Sequence, residues 1–380
     1  MSARKTLLIY THALAGGGAE RVCSLLATGF VRQGWRVLIA VDAEDDANQR
    51  FLDPDIEIAV LGSGHLRTVG RLVGLLRREN PDITLSAIGV SNLKHVMAAT
   101  LCGRLARAVL SYHAFAASEP QRLSRAAYWL LPVLSRLTAR TVAVSHGLHR
   151  DLVARWRASP RRVTTIYNPV MVGTGAPAAP RPTGTPPMIL SAGRLVPDKN
   201  MRAVVRAFGR IAARCEARLM ILGEGPDRPA IQDEILRLGL EKRVELHGYV
   251  PEPWALYQQA ACFVTASRLE SFSMVIAEAL AYGVPVVAYD SPGPREVLDD
   301  GKYGALIPLD DEECLASAML AALQNPPDAM LLQERGRAFS VEVGVEAYHR
   351  LFCEVIAEAA GETRVKPASP SASRFWAKHG

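Results

Sequence analysis

Two glutamates, Glu270 and Glu278, stand eight positions apart in the segment Glu270-Ser-Phe-Ser-Met-Val-Ile-Ala-Glu278-Ala. Glu278 lies among Met274, Val275, Ile276, Ala277, Ala279 and Leu280. A carboxylate in so apolar a stretch is costly unless it meets a partner or a ligand. The spacing predicts a helix capped by Ser271 or Ser273, with Glu270 just outside its N-terminus and Glu278 about one and a half turns in. The free amides of Phe272, Ser273, Met274 and Val275 then form an anion site between the two carboxylates. Such a wall suits a ligand with phosphates at one end and hydroxyls at the other, and a sugar nucleotide has that form. Taken alone, the segment is equally consistent with a structural helix whose glutamates serve its dipole.

Two cations sit where such a ligand needs them. Arg194 and Lys199 follow the apolar run Met188–Ala192. They therefore project from the C-terminal end of a strand, where ligands bind in open α/β sheets. Arginine grips two phosphate oxygens, and lysine supplies a point charge. His113 follows the run Ala108–Tyr112 in the same way, and Gly16 and Gly17 follow Thr6–Tyr10. Glycine lets a backbone approach a ligand closely. The segment Gly16-Gly17-Gly18-Ala-Glu20-Arg21 lacks the spaced G-x-G-x-x-G of a dinucleotide site. His12 and His146 have a weaker case.

The elements that must hold these residues are strands alternating with helices. Thr6–Tyr10, Arg36–Val41, Ile56–Leu61, Ile83–Ala87, Ala108–Tyr112 and Thr141–Val144 read as strands in the first half. Met188–Ala192, Ala217–Leu222, Val244–Leu246, Cys262–Thr265 and Val284–Tyr289 repeat the arrangement in the second. This alternation predicts doubly wound parallel sheets. Residues 1–170 read as one domain, the Pro- and Gly-rich residues 171–187 as a linker, and residues 188–341 as a second domain. An amphipathic helix over about 342–360 should pack back near the domain junction. Residues 361–380 read as a loose tail.

The motifs form an ordered series. The first half has the glycine segment, Ser145-His146-Gly147 and Tyr167-Asn168-Pro169. The second has Gly193-Arg194-Leu195, Lys199-Asn200, Gly223-Glu224-Gly225-Pro226, His247-Gly248-Tyr249-Val250, the glutamate pair, Gly283-Val-Pro285 and Pro292-Gly293-Pro294-Arg295-Glu296. In this order and spacing, from about residue 6 to 360, the chain resembles the retaining glycosyltransferases of family 4. The glutamates match that family's E-x7-E motif. The resemblance implies the GT-B fold, two Rossmann-like doubly wound parallel-sheet domains facing a central cleft. It also implies a nucleotide-sugar donor as co-substrate and no metal.

The resemblance further implies roles residue by residue. Arg194 and Lys199 hold the donor diphosphate. Glu270 meets the donor sugar hydroxyls near the reaction centre, and Glu278 holds the ribose hydroxyls. A carboxylate accepts from vicinal hydroxyls but repels phosphate, so this assignment suits the chemistry. Tyr249 and Val250 give backbone contacts to the base. Gly16 and Gly17 face the diphosphate and acceptor, and His113 lies close to the transferred sugar. Ser291-Pro-Gly-Pro-Arg295 departs from the commoner two-glycine turn and is similar to a branch that uses UDP-linked hexoses or N-acetylhexosamines.

Composition narrows the alternatives. The 380-residue chain is long enough for two cores, and no apolar run approaches a membrane span. The six cysteines are scattered without a C-x-x-C pair and read as reduced, mostly buried thiols of a cytoplasmic protein. Asp53-Pro54-Asp55 has a metal-site spelling but precedes a strand and reads as a turn. No His, Cys or Asp cluster has metal-ligand spacing. Residues 1–170 carry 22 Lys and Arg against 12 Asp and Glu, whereas residues 171–380 carry 22 against 26. The basic excess, with the Arg- and Trp-bearing segment 121–132, favours an anionic membrane surface and a saccharide or lipid-linked saccharide acceptor, not nucleic acid. A solvated basic face on a core helix would leave the same pattern. A catalytically silent sugar-nucleotide-binding protein, or a phosphorylase or epimerase of the same architecture, explains fewer of the motifs.

Overall fold

The computed structural model describes residues 4–45, 47–119, 122–171 and 186–362. In the first half, strands β1 (Thr6–Thr11), β2 (Arg36–Val41), β3 (Glu57–Val60), β4 (Ile83–Ala87), β5 (Ala108–Tyr112), β6 (Arg140–Ala143) and β7 (Val163–Thr165) form one sheet. It is parallel throughout, in the order β3-β2-β1-β4-β5-β6-β7. Its helices are α1 (Gly18–Arg32), α2 (His65–Glu79), α3 (Gly89–Leu101), α4 (Arg122–Leu137) and α5 (His146–Ala154). Leu7, Leu8, Ile9 and Tyr10 of β1 are all fully buried, as expected of a strand covered by helices on both faces.

The second half repeats the plan. Strands β8 (Met188–Ala192), β9 (Arg218–Leu222), β10 (Val244–Gly248), β11 (Ala260–Thr265), β12 (Val286–Tyr289) and β13 (Ala305–Ile307) pair in parallel in the order β10-β9-β8-β11-β12-β13. Between them run α6 (Met201–Ile211), α7 (Arg228–Arg237), α8 (Trp254–Gln259), α9 (Met274–Ala281) and α10 (Pro292–Val297), followed by α11 (Glu312–Gln324), α12 (Ala329–Arg337) and α13 (Val341–Ala359). In both sheets the strand order reverses beside the first strand, at β1/β4 and at β8/β11. Ligand crevices open at the C-terminal ends of strands at such points. The loops after β1 and β8 carry the glycine segment and Arg194.

The sequence pattern missed β7 and β13. Each has three residues and lies at a sheet edge, so neither shows a long apolar run. The strand expected from Val284 starts at Val286, because the Gly283-Val-Pro285 connection comes first and Pro285 only accepts a bond, from Phe263 N–H. Of the expected linker, residues 172–185 lie outside the described residues, as do residues 363–380 of the expected tail. Segment 121–132 forms the first part of α4, with residue 121 outside the described residues. Only Cys23 and Cys262 among the cysteines are buried, fewer than expected, and all six are free thiols.

The two halves are tied together at several points. Helix α13, at the end of the described chain, returns to the first sheet, where Phe352 stacks on Phe30 at 5.2 Å. Val170 bridges to Ser340. The Glu296 carboxylate accepts from the backbone N–H groups of His146 (2.6 Å) and Gly147 (2.9 Å), capping a first-domain helix from the second domain.

Candidate functional site

A cavity of about 890 Å³ lies between the C-terminal edges of the two sheets. Every residue singled out from the sequence for the site borders it: Gly16, Gly17 and His113 from the first domain, and Arg194, Lys199, Tyr249, Val250, Glu270, Phe272, Ser273, Met274, Val275 and Glu278 from the second.

Arg194 is positioned by backbone packing. The turn that carries it is pinned to the Gly223–Gly225 loop: Gly193 N–H donates to Leu222 C=O (3.0 Å) and Leu195 N–H to Glu224 C=O (2.9 Å). Gly223 has φ +126°, and a Cβ there would lie 1.9 Å from the Gly193 carbonyl oxygen. Only glycine allows this approach. Arg194 is exposed to the cavity and forms no ion pair among the described residues. Lys199 ends a short 3₁₀ turn (Pro197–Lys199), and its Nζ bonds Glu270 Oε1.

The loop that carries Glu270 rests on Gly293. Gly293 N–H donates to Glu270 C=O (2.9 Å), and a Cβ on Gly293 would stand 2.7 Å from Phe272 N. Phe272 is buried between Tyr167 and Phe339, so it offers the cavity its backbone. Ser273 holds the N-cap position of α9 but makes no cap bond. Its backbone is left-handed (φ +73°), and its hydroxyl is buried without a hydrogen-bond partner. Ser271 does not cap either. Its hydroxyl donates to His113 C=O across the cleft at 2.5 Å. The sequence-based expectation of a serine cap therefore fails, because the turn is bent toward the cleft and leaves the first amides of α9 open.

Glu278 is 2% exposed. It accepts from Arg21 Nη1 (3.1 Å) and from the Tyr257 hydroxyl (3.1 Å). Burial raises its pKa, and Arg21 and Tyr257 offset part of that rise. Tyr249 reaches the other way, with its hydroxyl against Gly16. Val250 packs on the core beside it.

On the first-domain wall, Asn48 pins the glycine loop by donating to the carbonyls of Ala15 and Gly17. Gly17 caps α1 with extended backbone, and the Glu20 carboxylate folds back over it. Burial raises the pKa of Glu20 and of Glu119, and the nearby Arg194 lowers both. Two first-domain carboxylates therefore face the second-domain arginine. His113 Nε2 bonds Ser111 Oγ (2.9 Å), which in turn meets Tyr348 of α13 (3.4 Å). Burial holds His113 down to about 4, partly countered by Asn168, so its ring is neutral near pH 7. Below the loop, the buried Asp42 carboxylate accepts from Tyr10 (2.7 Å), His12 Nδ1 (3.1 Å) and Lys94 (2.5 Å).

Several cavity residues escaped the sequence reading: Arg21, Tyr257, Glu119 and the Asp42–Lys94 pair. Arg21 stood inside the glycine motif, and the need of buried Glu278 for a cation could have pointed to it. Tyr257, on a six-residue helix, gave no signal. His146 turns its ring to Tyr167 and presents its backbone to Glu296. Asp53-Pro-Asp55 is a turn in which Asp55 N–H donates to the Asp53 side chain. Among the described residues, no group of three or more His, Cys, Asp or Glu could hold a metal ion.

The buried polar atoms left without partners are informative. Arg21 Nε, Ser91 Oγ, Tyr112 OH and Ser273 Oγ all belong to cavity-lining residues. Buried polar groups are ordinarily satisfied, so their clustering marks a place where a polar ligand supplies the partners.

Residues 16–172 match the family described as Glycosyltransferase Family 4, and residues 176–339 match Glycosyl transferases group 1. An exopolysaccharide phosphotransferase of Streptomyces coelicolor is 31% identical over 280 residues, 68% of this chain and 28% of that one. A second relative, from Campylobacter jejuni, is the N-acetylgalactosamine-N,N'-diacetylbacillosaminyl-diphospho-undecaprenol 4-alpha-N-acetylgalactosaminyltransferase. It is 32% identical over 183 residues, 48% of this chain and 50% of that one. The chain thus spans half or less of the length of these curated relatives. Anabaena HepE, solved in complex with UDP-glucose, superposes with a TM-score of 0.74 at 19% identity, covering 94% of this chain and 99% of that one.

Proposed function

Because the chain belongs to family 4 of the glycosyltransferases, we propose that it moves a hexose or N-acetylhexosamine from a UDP-sugar to a saccharide acceptor, lipid-linked at the inner face of a membrane. The product belongs to polysaccharide, lipopolysaccharide or glycolipid synthesis. One observation carries this reading: two carboxylates and two cations surround the open N-terminus of α9 in one cavity. The UDP-glucose complex of a protein of the same fold and the polyprenyl diphosphate in a relative's name support the choice of donor and acceptor. Among the described residues, no helix is long and apolar enough to cross a membrane.

In this reading the donor diphosphate lies between Arg194, Lys199 and the first amides of α9. These groups stabilise the negative charge that builds on the leaving phosphate and do the work of a metal ion. Glu278 takes the ribose hydroxyls, and Glu270 takes those of the sugar. The bond from the anomeric carbon to the β-phosphate oxygen breaks, and its electrons stay on the phosphate. The acceptor oxygen attacks the same face while its proton passes to that phosphate oxygen, so configuration is retained. Neutral His113 hydrogen-bonds the sugar without adding charge near the oxocarbenium centre. A covalent glycosyl-enzyme on Glu270 would contradict this step.

The test is a screen of UDP-, GDP- and ADP-sugars in EDTA that identifies the released nucleotide, with Glu270→Ala as control. UDP released by the parent protein and lost in the variant supports the reading. Release of UMP would instead mean transfer of a sugar phosphate, the chemistry named for the Streptomyces relative. No release with any donor, alone or with a panel of saccharide and polyprenyl-linked acceptors, would favour a binding protein.

A further inference from the structure

Helix α4 is apolar on both faces. Its inner face buries Ala127, Tyr128, Leu131 and Leu134. Its outer face leaves Leu123, Trp129, Leu130, Val133 and Leu137 in the open, with Trp129 77% exposed. Positions 123, 130, 133 and 137 fall on one stripe, where a surface helix ordinarily carries polar residues. The layer continues the pattern. Helices α2, α3 and α4 pack side by side, and Met97 and Leu101 of α3 are also exposed.

The charge on this layer has one sign. Helices α2, α3 and α4 hold four, one and three Lys or Arg, against the single acid Glu79. Lys94 is buried on Asp42, and Glu79 is taken up by Arg36 and Arg78. Arg67, Arg71, Arg77, Arg78, Arg125 and Arg136 are exposed. Beside α4, Trp129 meets Trp156 edge-on at 5.4 Å, and Arg155 lies over Trp156.

We propose that the α2–α4 face docks on an anionic phospholipid bilayer, with the α4 stripe in the interfacial layer and the arginines on the headgroups. An amphipathic basic helix with a tryptophan has the chemistry of that interface. A second copy of the chain would set arginine against arginine. The inference stands on the surface itself and goes beyond the transfer reaction. It also has a consequence for access, because Ser124 and Tyr128, on the inner side of α4, line the cavity. Docking would bring the cavity alongside the membrane.

The experiment is co-sedimentation of the full chain with phosphatidylglycerol-containing vesicles and with pure phosphatidylcholine vesicles, at low and high salt. The protein should pellet with the first kind at low salt, and about tenfold less should pellet with the second or at high salt. Val133→Asp, Trp129→Ser and Arg125→Glu/Arg136→Glu should each reduce bound protein about tenfold while the thermal midpoint and UDP binding are kept. Absence of binding to anionic vesicles overturns the proposal, as does equal binding by folded variants. So does self-association lost in Trp129→Ser without vesicle binding, which would make the face an interface between copies. The vesicles carry no acceptor, so failure here leaves the transferase reading intact, and failure of donor turnover leaves this one intact.

Discussion

Arg21 of α1 and Glu278 of α9 meet across the cleft at 3.1 Å, one from each domain. The carboxylate is buried, and the arginine is 13% exposed. Removing the cation strands a buried charge, which costs more than the pair itself contributes. Arg21→Gln should destabilise the protein by about 2 kcal/mol, and Glu278→Gln in the same chain should recover part of that loss. Urea unfolding of the single and double variants measures the coupling. Additive losses would show that the pair is not coupled.

The same pair sets a pH signature. Burial raises the pKa of Glu278 above the ordinary carboxylate value, and Arg21 holds it down. A raised carboxylate binds its proton more tightly in the folded state, so its ionisation costs stability as pH rises through the folded pKa. Arg21→Gln should therefore lose more stability at about pH 8 than at about pH 5. A uniform loss at both would contradict this.

Histidine burial acts in the opposite direction. His95 is fully buried, bonded to Ser86 (2.8 Å) and Thr84 (2.7 Å), and burial holds it down to about 4. The unfolded chain takes up the proton first, near the ordinary histidine value of about 6.5. Stability is thus complete above that value and falls as pH drops toward 4, by about 3 kcal/mol for His95 alone. Denaturant melts between about pH 4 and pH 7 should show the slope, and His95→Gln should flatten it.

Two glycines are expected to be intolerant for reasons of space. Gly223→Ala would drive a methyl into the Gly193 carbonyl and displace Arg194. Gly293→Ala would push on Phe272 N and the Glu270 carbonyl. Each should lower donor turnover by about a hundredfold, since a 1 Å misplacement of a positioning group has that effect. Gly70→Ala meets nothing within 4 Å and serves as the control. Equal turnover in all three would show that these loops do not position the site.

The sequence was most legible where physics is local. Central strands such as β1 and β8 are continuous apolar runs, so their ends located the loops of the site. The edge strands β7 and β13 have too few residues to show a period. The glutamate pair was legible because a carboxylate among alanines and leucines needs a reason. Its partners were not, because Arg21 and Tyr257 reach Glu278 from 257 and 21 residues away. The serine cap failed because Ser273 adopts φ +73°, a conformation that side-chain type does not announce.

The central claim is that a nucleoside diphosphate lies between Arg194 and the N-terminus of α9, with its ribose on Glu278. Calorimetric titration of UMP and UDP in EDTA, into the parent protein, Arg194→Ala and Glu278→Gln, tests it most directly. The account predicts that UDP binds more tightly than UMP, that Arg194→Ala removes this increment, and that Glu278→Gln weakens both nucleotides alike. UDP and UMP binding with equal affinity to the parent protein, or an increment untouched by Arg194→Ala, would contradict it.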